Sequence, residues 1–109
     1  MNEDEINNQN FNRQSRICKA ISHPTRLRIL HLLRNQELTV NEIAKKLDLK
    51  QSNISQHLRI LRGTGLVENR KEGLNVYYSL YSKKISRACD LLRKVLKEIE
   101  NKKSITIEE

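Results

Sequence analysis

The stretch that decides the fold is Thr39-Val40-Asn41-Glu42-Ile43-Ala44-Lys45-Lys46-Leu47-Asp48-Leu49-Lys50, followed by Gln51-Ser52-Asn53-Ile54-Ser55-Gln56-His57-Leu58-Arg59-Ile60-Leu61-Arg62. Thr39 and Glu42 have the spacing of a capping box, so a short helix starts there and ends near Leu47. Asp48 suits the tight turn that follows, because Asp tolerates left-handed backbone and bonds its own chain. A second helix begins at Gln51. At about 100° per residue, Ile54, Leu58 and Leu61 share one face. Ser52, Ser55, Gln56 and Arg59 point the other way. Short hydroxyls and amides reach base edges, and Arg suits guanine or phosphate. A helix anchored by one apolar stripe, with hydrogen-bonding groups outside, is built to be read against a polar partner. Duplex DNA is the leading one.

Toward the C-terminus, Gly63 and Gly65 bracket the end of that helix, as a C-cap should. Leu66–Arg70 and Asn75–Leu80 then pair around Lys71-Glu72-Gly73-Leu74 as a basic hairpin. A long helix runs from Ser82 to about Asn101, with Ile85, Ala88, Cys89, Leu92, Val95, Leu96 and Ile99 in one stripe and charges opposite. Toward the N-terminus, Asn35-Gln36 makes a turn. The helix before it, Pro24 to Arg34, carries Leu27, Ile29, Leu30, Leu32 and Leu33, a spread that implies burial on most sides. Ser22 or His23 caps it, and Pro24 fits its first turn, where a missing N–H costs nothing. An earlier helix places Phe11, Gln14, Ile17, Cys18 and Ile21 on one side.

These elements give a mainly α chain with one small β-hairpin, in the order α-α-α-α-β-β-α. Residues 10–101 form the single domain, residues 1–9 a disordered or fraying arm, and residues 102–109 a C-terminal tail. The two terminal helices sit outside the helix–turn–helix and hairpin unit, yet each carries an aliphatic stripe. They are suited to a two-fold dimer interface; the alternative is that they pack only on their own core.

Composition agrees with a DNA partner. The chain has 109 residues, 37% of them hydrophobic, with one Phe and no Trp, so its core is thin and a second chain helps complete it. Net charge is +8, and five of the 13 acids (Glu3, Asp4, Glu5, Glu108 and Glu109) lie at the ends. The body between them sets eight acids against 21 bases, a balance that favours polyanions through counterion release. No apolar run reaches membrane-span length, and the acidic, Asn-rich start has no signal-peptide core, so a cytoplasmic, DNA-associated protein without membrane contact is expected. Cys18 and Cys89 are then expected to be reduced rather than joined as a structural disulfide.

At this point the sequence resembles the ArsR/SmtB family of winged-helix repressors. The resemblance rests on Ala20-Ile21-Ser22-His23-Pro24-Thr25-Arg26-Leu27-Arg28-Ile29-Leu30, on Glu37 to Ala44, on Leu49 to Leu58, and on Gly65-Leu66-Val67 with Val76 to Leu80. It covers about residues 15–100. It implies a winged helix–turn–helix homodimer that represses transcription from an imperfect palindrome and lets go when an inducer binds. Base-reading positions of the family fall on Gln51, Ser52, Ser55 and Gln56, with Asn53 beside them. Wing contacts fall on Arg70 and Lys71. Lys45, Lys46, Lys50, Arg59 and Arg62 are backbone-contact candidates on charge and placement.

The departures from that family are equally specific. Its third-helix metal sensors carry a Cys-Val-Cys segment, where this chain has Thr39 and Asn41. Its last-helix sensors use an Asp and three His, where this chain has Ser82, Lys84, Val95 and Glu98. No metal and no cofactor is therefore expected. His23, His31 and His57 are too scattered to make a ligand cluster, with capping the expected role of His23 and a structural or phosphate-contact role that of His57. The family's persulfide sensors place cysteines where His31 and Lys97 stand here. Cys18 and Cys89 lie instead on the stripes of the terminal helices. They are either a thiol switch in the dimer or small buried hydrophobes.

An enzyme is not expected: no nucleophile–base set, phosphate-cradling Gly loop or paired carboxylates in a plausible pocket is present. Two further classes stay open. One is an architectural or non-sensing DNA-binding protein; the other is a DNA-binding fold reused for protein contacts. The inducer is not legible from the sequence.

Overall fold

In the computed structural model, which describes residues 8–103, the elements run α1 (Asn8–Ile21), α2 (Pro24–Leu32), α3 (Val40–Leu47), α4 (Gln51–Gly63), β1 (Val67–Glu72), β2 (Asn75–Leu80) and α5 (Lys83–Lys103). This is the expected order. The boundaries differ at both ends. Asn8 and Gln9, placed by the sequence in a fraying arm, are already helical, with Asn side chains suited to an N-terminal turn. Lys102 and Lys103 prolong α5, where cations complement the negative helix end. The rest of the expected arm and tail lies outside the described residues.

Local chemistry sets the helix–turn–helix. Thr39 Oγ1 accepts from the Glu42 N–H at 3.1 Å, and Glu42 Oε1 accepts from the Thr39 N–H at 2.9 Å. The capping box thus starts α3 as read. Asp48 ends it in left-handed backbone, with φ 56° and ψ 50°. His23 caps α2, its Nδ1 accepting from the Thr25 N–H at 3.1 Å, while Ser22 Oγ instead closes α1 by donating to the Lys19 carbonyl. Helix α2 stops at Leu32 rather than Arg34: Leu33 takes the C-cap conformation, and the Gln36 side-chain amide donates to the free Leu32 carbonyl.

The fully buried side chains are Ile29 and Leu30 of α2, Ile43 of α3, Ile54, Leu58 and Leu61 of α4, and Val67 of β1. The core therefore lies in the middle of the chain. Helix α1 adds Ala20 and α5 adds Cys89, with Ser86 beside it. Most of the two terminal stripes stays outside. The spread on α2 is also less buried than its pattern implies, since Leu27 faces outward and Leu32 is half-buried.

Strands β1 and β2 pair antiparallel from Val67↔Leu80 to Glu72↔Asn75. The connection is shorter than the four residues expected. Lys71 and Glu72 belong to β1, and only Gly73-Leu74 turns the chain, with Gly73 at φ 62°. Glycine at the first central position is what a two-residue hairpin loop of the II′ type requires. An unforeseen bridge ties the hairpin down: the Leu38 and Tyr78 backbones exchange hydrogen bonds of 3.1 and 2.8 Å. Leu38 immediately precedes the α3 cap, so this bridge fixes the wing against the helix–turn–helix.

Candidate nucleic-acid interface

Because Ile54, Leu58 and Leu61 are wholly buried, the rotation of α4 about its axis is fixed. The opposite face is thereby committed to solvent: Ser52, Asn53, Ser55, Gln56 and Arg59 are all exposed. The side chains of Ser52, Asn53, Ser55 and Gln56 have no partner among the described residues. They are free donors and acceptors on one turn-and-a-half of helix. Gln51 is different. Its amide nitrogen donates to Asn41 Oδ1 at 2.8 Å, which braces the start of α4 against the start of α3.

The cations surround this face. Lys45 and Lys46 occupy the last turn of α3, Lys50 precedes α4, and Arg59 and Arg62 lie along its second half, all exposed. Arg59 and Arg62 line a cleft of about 530 Å³ between α4 and the wing, with Ser55, Leu58, Gly63 and Tyr78. None of these cations is in an ion pair among the described residues, and each is available to a phosphate.

The wing departs from the sequence reading. Between Val67 and Leu80 its cations Arg70 and Lys71 are matched by Glu68 and Glu72, so the hairpin is neutral rather than basic. Arg70 is also occupied. Its guanidinium meets Glu37 at 2.8 Å, pairs with Glu72, and lies 4.9 Å over the Tyr77 ring. Bonding to Arg70 holds the Glu37 carboxyl below the usual carboxylate range, and Glu37 and then Glu72 push the Arg70 guanidinium further up. Lys71, exposed and without an ion pair among the described residues, is the wing's available charge.

His57 sits behind the exposed polar face of α4, not on it. Its Nδ1 accepts from Arg26 Nε at 3.2 Å, and its ring lies 4.5 Å from that of His23. Burial, then the His23 and Arg26 charges, holds its pKa below the ordinary histidine value. His31 stands elsewhere, on the rim of a cavity of about 780 Å³ that Cys18 and Cys89 also line. Cys18 is exposed and Cys89 buried, with burial pushing the Cys89 thiol up. Among the described residues, no group of three His, Cys, Asp or Glu side chains is placed to hold a metal ion.

A buried-stripe helix with a free polar face, preceded by a capped helix and a turn and flanked by a two-stranded wing, makes this a winged helix–turn–helix transcription regulator. Residues 23–69 match the family described as bacterial regulatory protein, arsR family. The chain is 42% identical to the transcriptional activator HlyU of Vibrio cholerae over 79 residues, 72% of this chain and 73% of that one. It is 36% identical to the biofilm growth-associated repressor of Agrobacterium fabrum, over 70% of this chain and 65% of the relative. A homodimeric winged helix–turn–helix DNA-binding domain from Mycobacterium bovis superposes with a TM-score of 0.77 at 27% identity, covering 100% of this chain and 97% of that one. The chain belongs to the ArsR family of bacterial regulatory proteins. Among the described residues, no helix is long and apolar enough to cross a membrane.

Proposed function

We propose that this regulator acts as a homodimeric repressor in the cytoplasm, each α4 entering a major groove of an imperfect palindrome. The observation that carries this is the free polar face of α4: Ser52, Asn53, Ser55 and Gln56 exposed and unpartnered over a stripe that is wholly buried. These side chains offer direct readout. Arg59, Arg62, Lys50 and Lys71 supply the backbone contacts, and Gln51 holds the helix start. Dimerisation agrees with the homodimeric M. bovis domain and with the half-site geometry of two-fold helix–turn–helix proteins. Repression is the more economical sign, since a dimer sitting on an operator blocks polymerase with no further contact. HlyU, named an activator, marks the other outcome. An architectural role is disfavoured because the α4 face carries hydrogen-bonding groups rather than charge alone.

The test is selection of bound duplexes from a random-sequence library by wild type and Gln56→Ala. Wild type should recover a palindrome, and the variant should relax preference at symmetric positions while keeping the rest. An unchanged motif from the variant removes Gln56 from the reading face. Placing the chain upstream of, or across, a promoter carrying that palindrome then fixes the sign of regulation.

A thiol switch is a second reading favoured by one observation: Cys18 and Cys89 line the same cavity between the terminal helices. Each thiol loses a proton and an electron as the disulfide forms, and the diazene bond of diamide takes both pairs. Cys18 should react first, because it is exposed while Cys89 is buried and burial raises the Cys89 pKa. Diamide should release DNA from wild type and not from Cys18→Ser. Unchanged binding by the oxidised wild type removes the switch.

A further inference from the structure

Helices α1 and α4 meet through one polar joint that neither the readout face nor the core accounts for. Arg26, in the first turn of α2, is half-buried and bonds in two directions. Its Nη1 donates to the Ala20 carbonyl at 3.0 Å, and its Nε donates to His57 Nδ1 at 3.2 Å. Ala20 is in the last turn of α1, where carbonyls lack an intrahelical donor, so the guanidinium acts as a charged C-cap. His57 is one residue beyond Gln56 on the reading helix. One planar fork therefore grips the end of α1 with one nitrogen and the middle of α4 with another.

The bonding also fixes the imidazole states. An Nδ1 that accepts from Arg26 carries no proton, so His57 is the neutral Nε2–H tautomer. His23 Nδ1 accepts from the Thr25 N–H as the cap of α2, and the two rings lie 4.5 Å apart. The groups facing His57 are Arg26 of α2 and His23 of the turn before it, and Arg26 is in turn held by the Ala20 carbonyl of α1. Protonating His57 turns its acceptor into a donor aimed at a guanidinium and sets a new cation beside an existing one. The joint holds only with His57 neutral.

We propose that Arg26 and His57 are positioning residues for DNA binding, a joint that sets the angle of the reading helix against α1 and so passes the geometry of the dimer to the DNA face. The inference rests on the reading of α4 as the recognition helix and of α1 as part of the dimer interface. Lysine cannot replace Arg26, because a single ammonium does not span two acceptors in the fixed fork geometry. Asn replaces His57 in part, since its Oδ1 stands where Nδ1 stood and accepts from the same donor.

The test uses the full chain and a duplex that wild type has itself selected from a random library. His57→Leu and Arg26→Lys should each weaken binding about tenfold, as loss of a charge-assisted hydrogen bond does. Their double variant should be little worse than either, and His57→Asn should recover most of the loss. The dimer dissociation constant and the selected base sequence should stay unchanged in all of them. A pH series separates positioning from general stability: wild-type affinity should fall once pH drops well below the ordinary histidine range, and more steeply than that of His57→Asn, in which position 57 no longer titrates. Additive losses, no rescue by Asn, or a wild-type pH profile in His57→Asn each overturn the joint. If wild type selects no sequence at all, the recognition-helix reading fails with it; if wild type selects one and the variants bind it equally, only the joint fails.

Discussion

Arg70 and Lys71 are consecutive residues of one strand and are opposite in what they offer to DNA. Arg70 is held by two carboxylates and a tyrosine ring, so a phosphate approaching it meets a charge already balanced. Lys71 has no ion pair among the described residues and is exposed. Counterions condensed on a duplex are released when a cation takes their place at a phosphate, so a cation already paired within the protein releases none. Lys71→Ala should therefore lower the slope of log affinity against log salt by about one, weakening all sequences alike. Arg70→Ala should change that slope far less, because Arg70, already paired with Glu37 and Glu72, displaces no counterion from a phosphate. The pair Arg70–Glu37 also joins the wing to the loop before α3, so its loss should loosen the wing. Electrophoretic or fluorescence titrations across a salt series measure both, and equal slopes for the two variants would show that Arg70 leaves its carboxylates for DNA.

Elements are legible in proportion to how local their causes are. The α3 start is written in Thr39 and Glu42, three residues apart, and its end in Asp48. The buried face of α4 is written in Ile54, Leu58 and Leu61. Each of these is readable in a window no longer than a helix. What the sequence hides are contacts between residues far apart along the chain. The Arg26–His57 bond spans 31 residues and the Arg70–Glu37 pair spans 33. No periodicity reports such a pairing, so Arg70 reads as a free cation until the fold brings Glu37 to it; the neutrality of the wing, by contrast, is countable from Glu68 and Glu72. The Leu38–Tyr78 bridge escapes for a related reason: one bridged residue is too short to make an alternating pattern. The two-residue turn is hidden by Lys71 and Glu72, polar residues that fit a loop and an exposed strand equally well. The site follows the same division. The exposed polar residues of α4 are found by face, while the partners that occupy Gln51, His57 and Arg70 emerge only when distant segments are brought together.

At the scale of the whole molecule, the distribution of burial argues for a second copy. The wholly buried residues come from α2, α3, α4 and β1. Helices α1 and α5 keep Phe11, Ile17, Leu91, Leu92, Val95, Leu96 and Ile99 between 37% and 67% exposed. Isolated apolar residues on a surface are ordinary, but rows of them along two helices mark an interaction face. Full burial of such a side chain contributes about 1.5–3 kcal/mol, and these are already partly covered, so each has about half of that left to gain in an interface. Several together exceed the entropic cost of association only if both helices of both copies take part, as a two-fold arrangement allows. Replacing Leu92 and Leu96 by Glu puts two charges per chain on that face without touching a core side chain. Analytical ultracentrifugation should then find a monomer whose circular dichroism retains the helices. Binding to the selected palindrome should fall by about a hundredfold or more, because a monomer loses the effective concentration that joins two half-sites. Its affinity for a single half-site should match that of a wild-type monomer. A variant that stays dimeric with full affinity would move the interface off α5, and with it the route by which the α1 end of the Arg26 joint senses a partner.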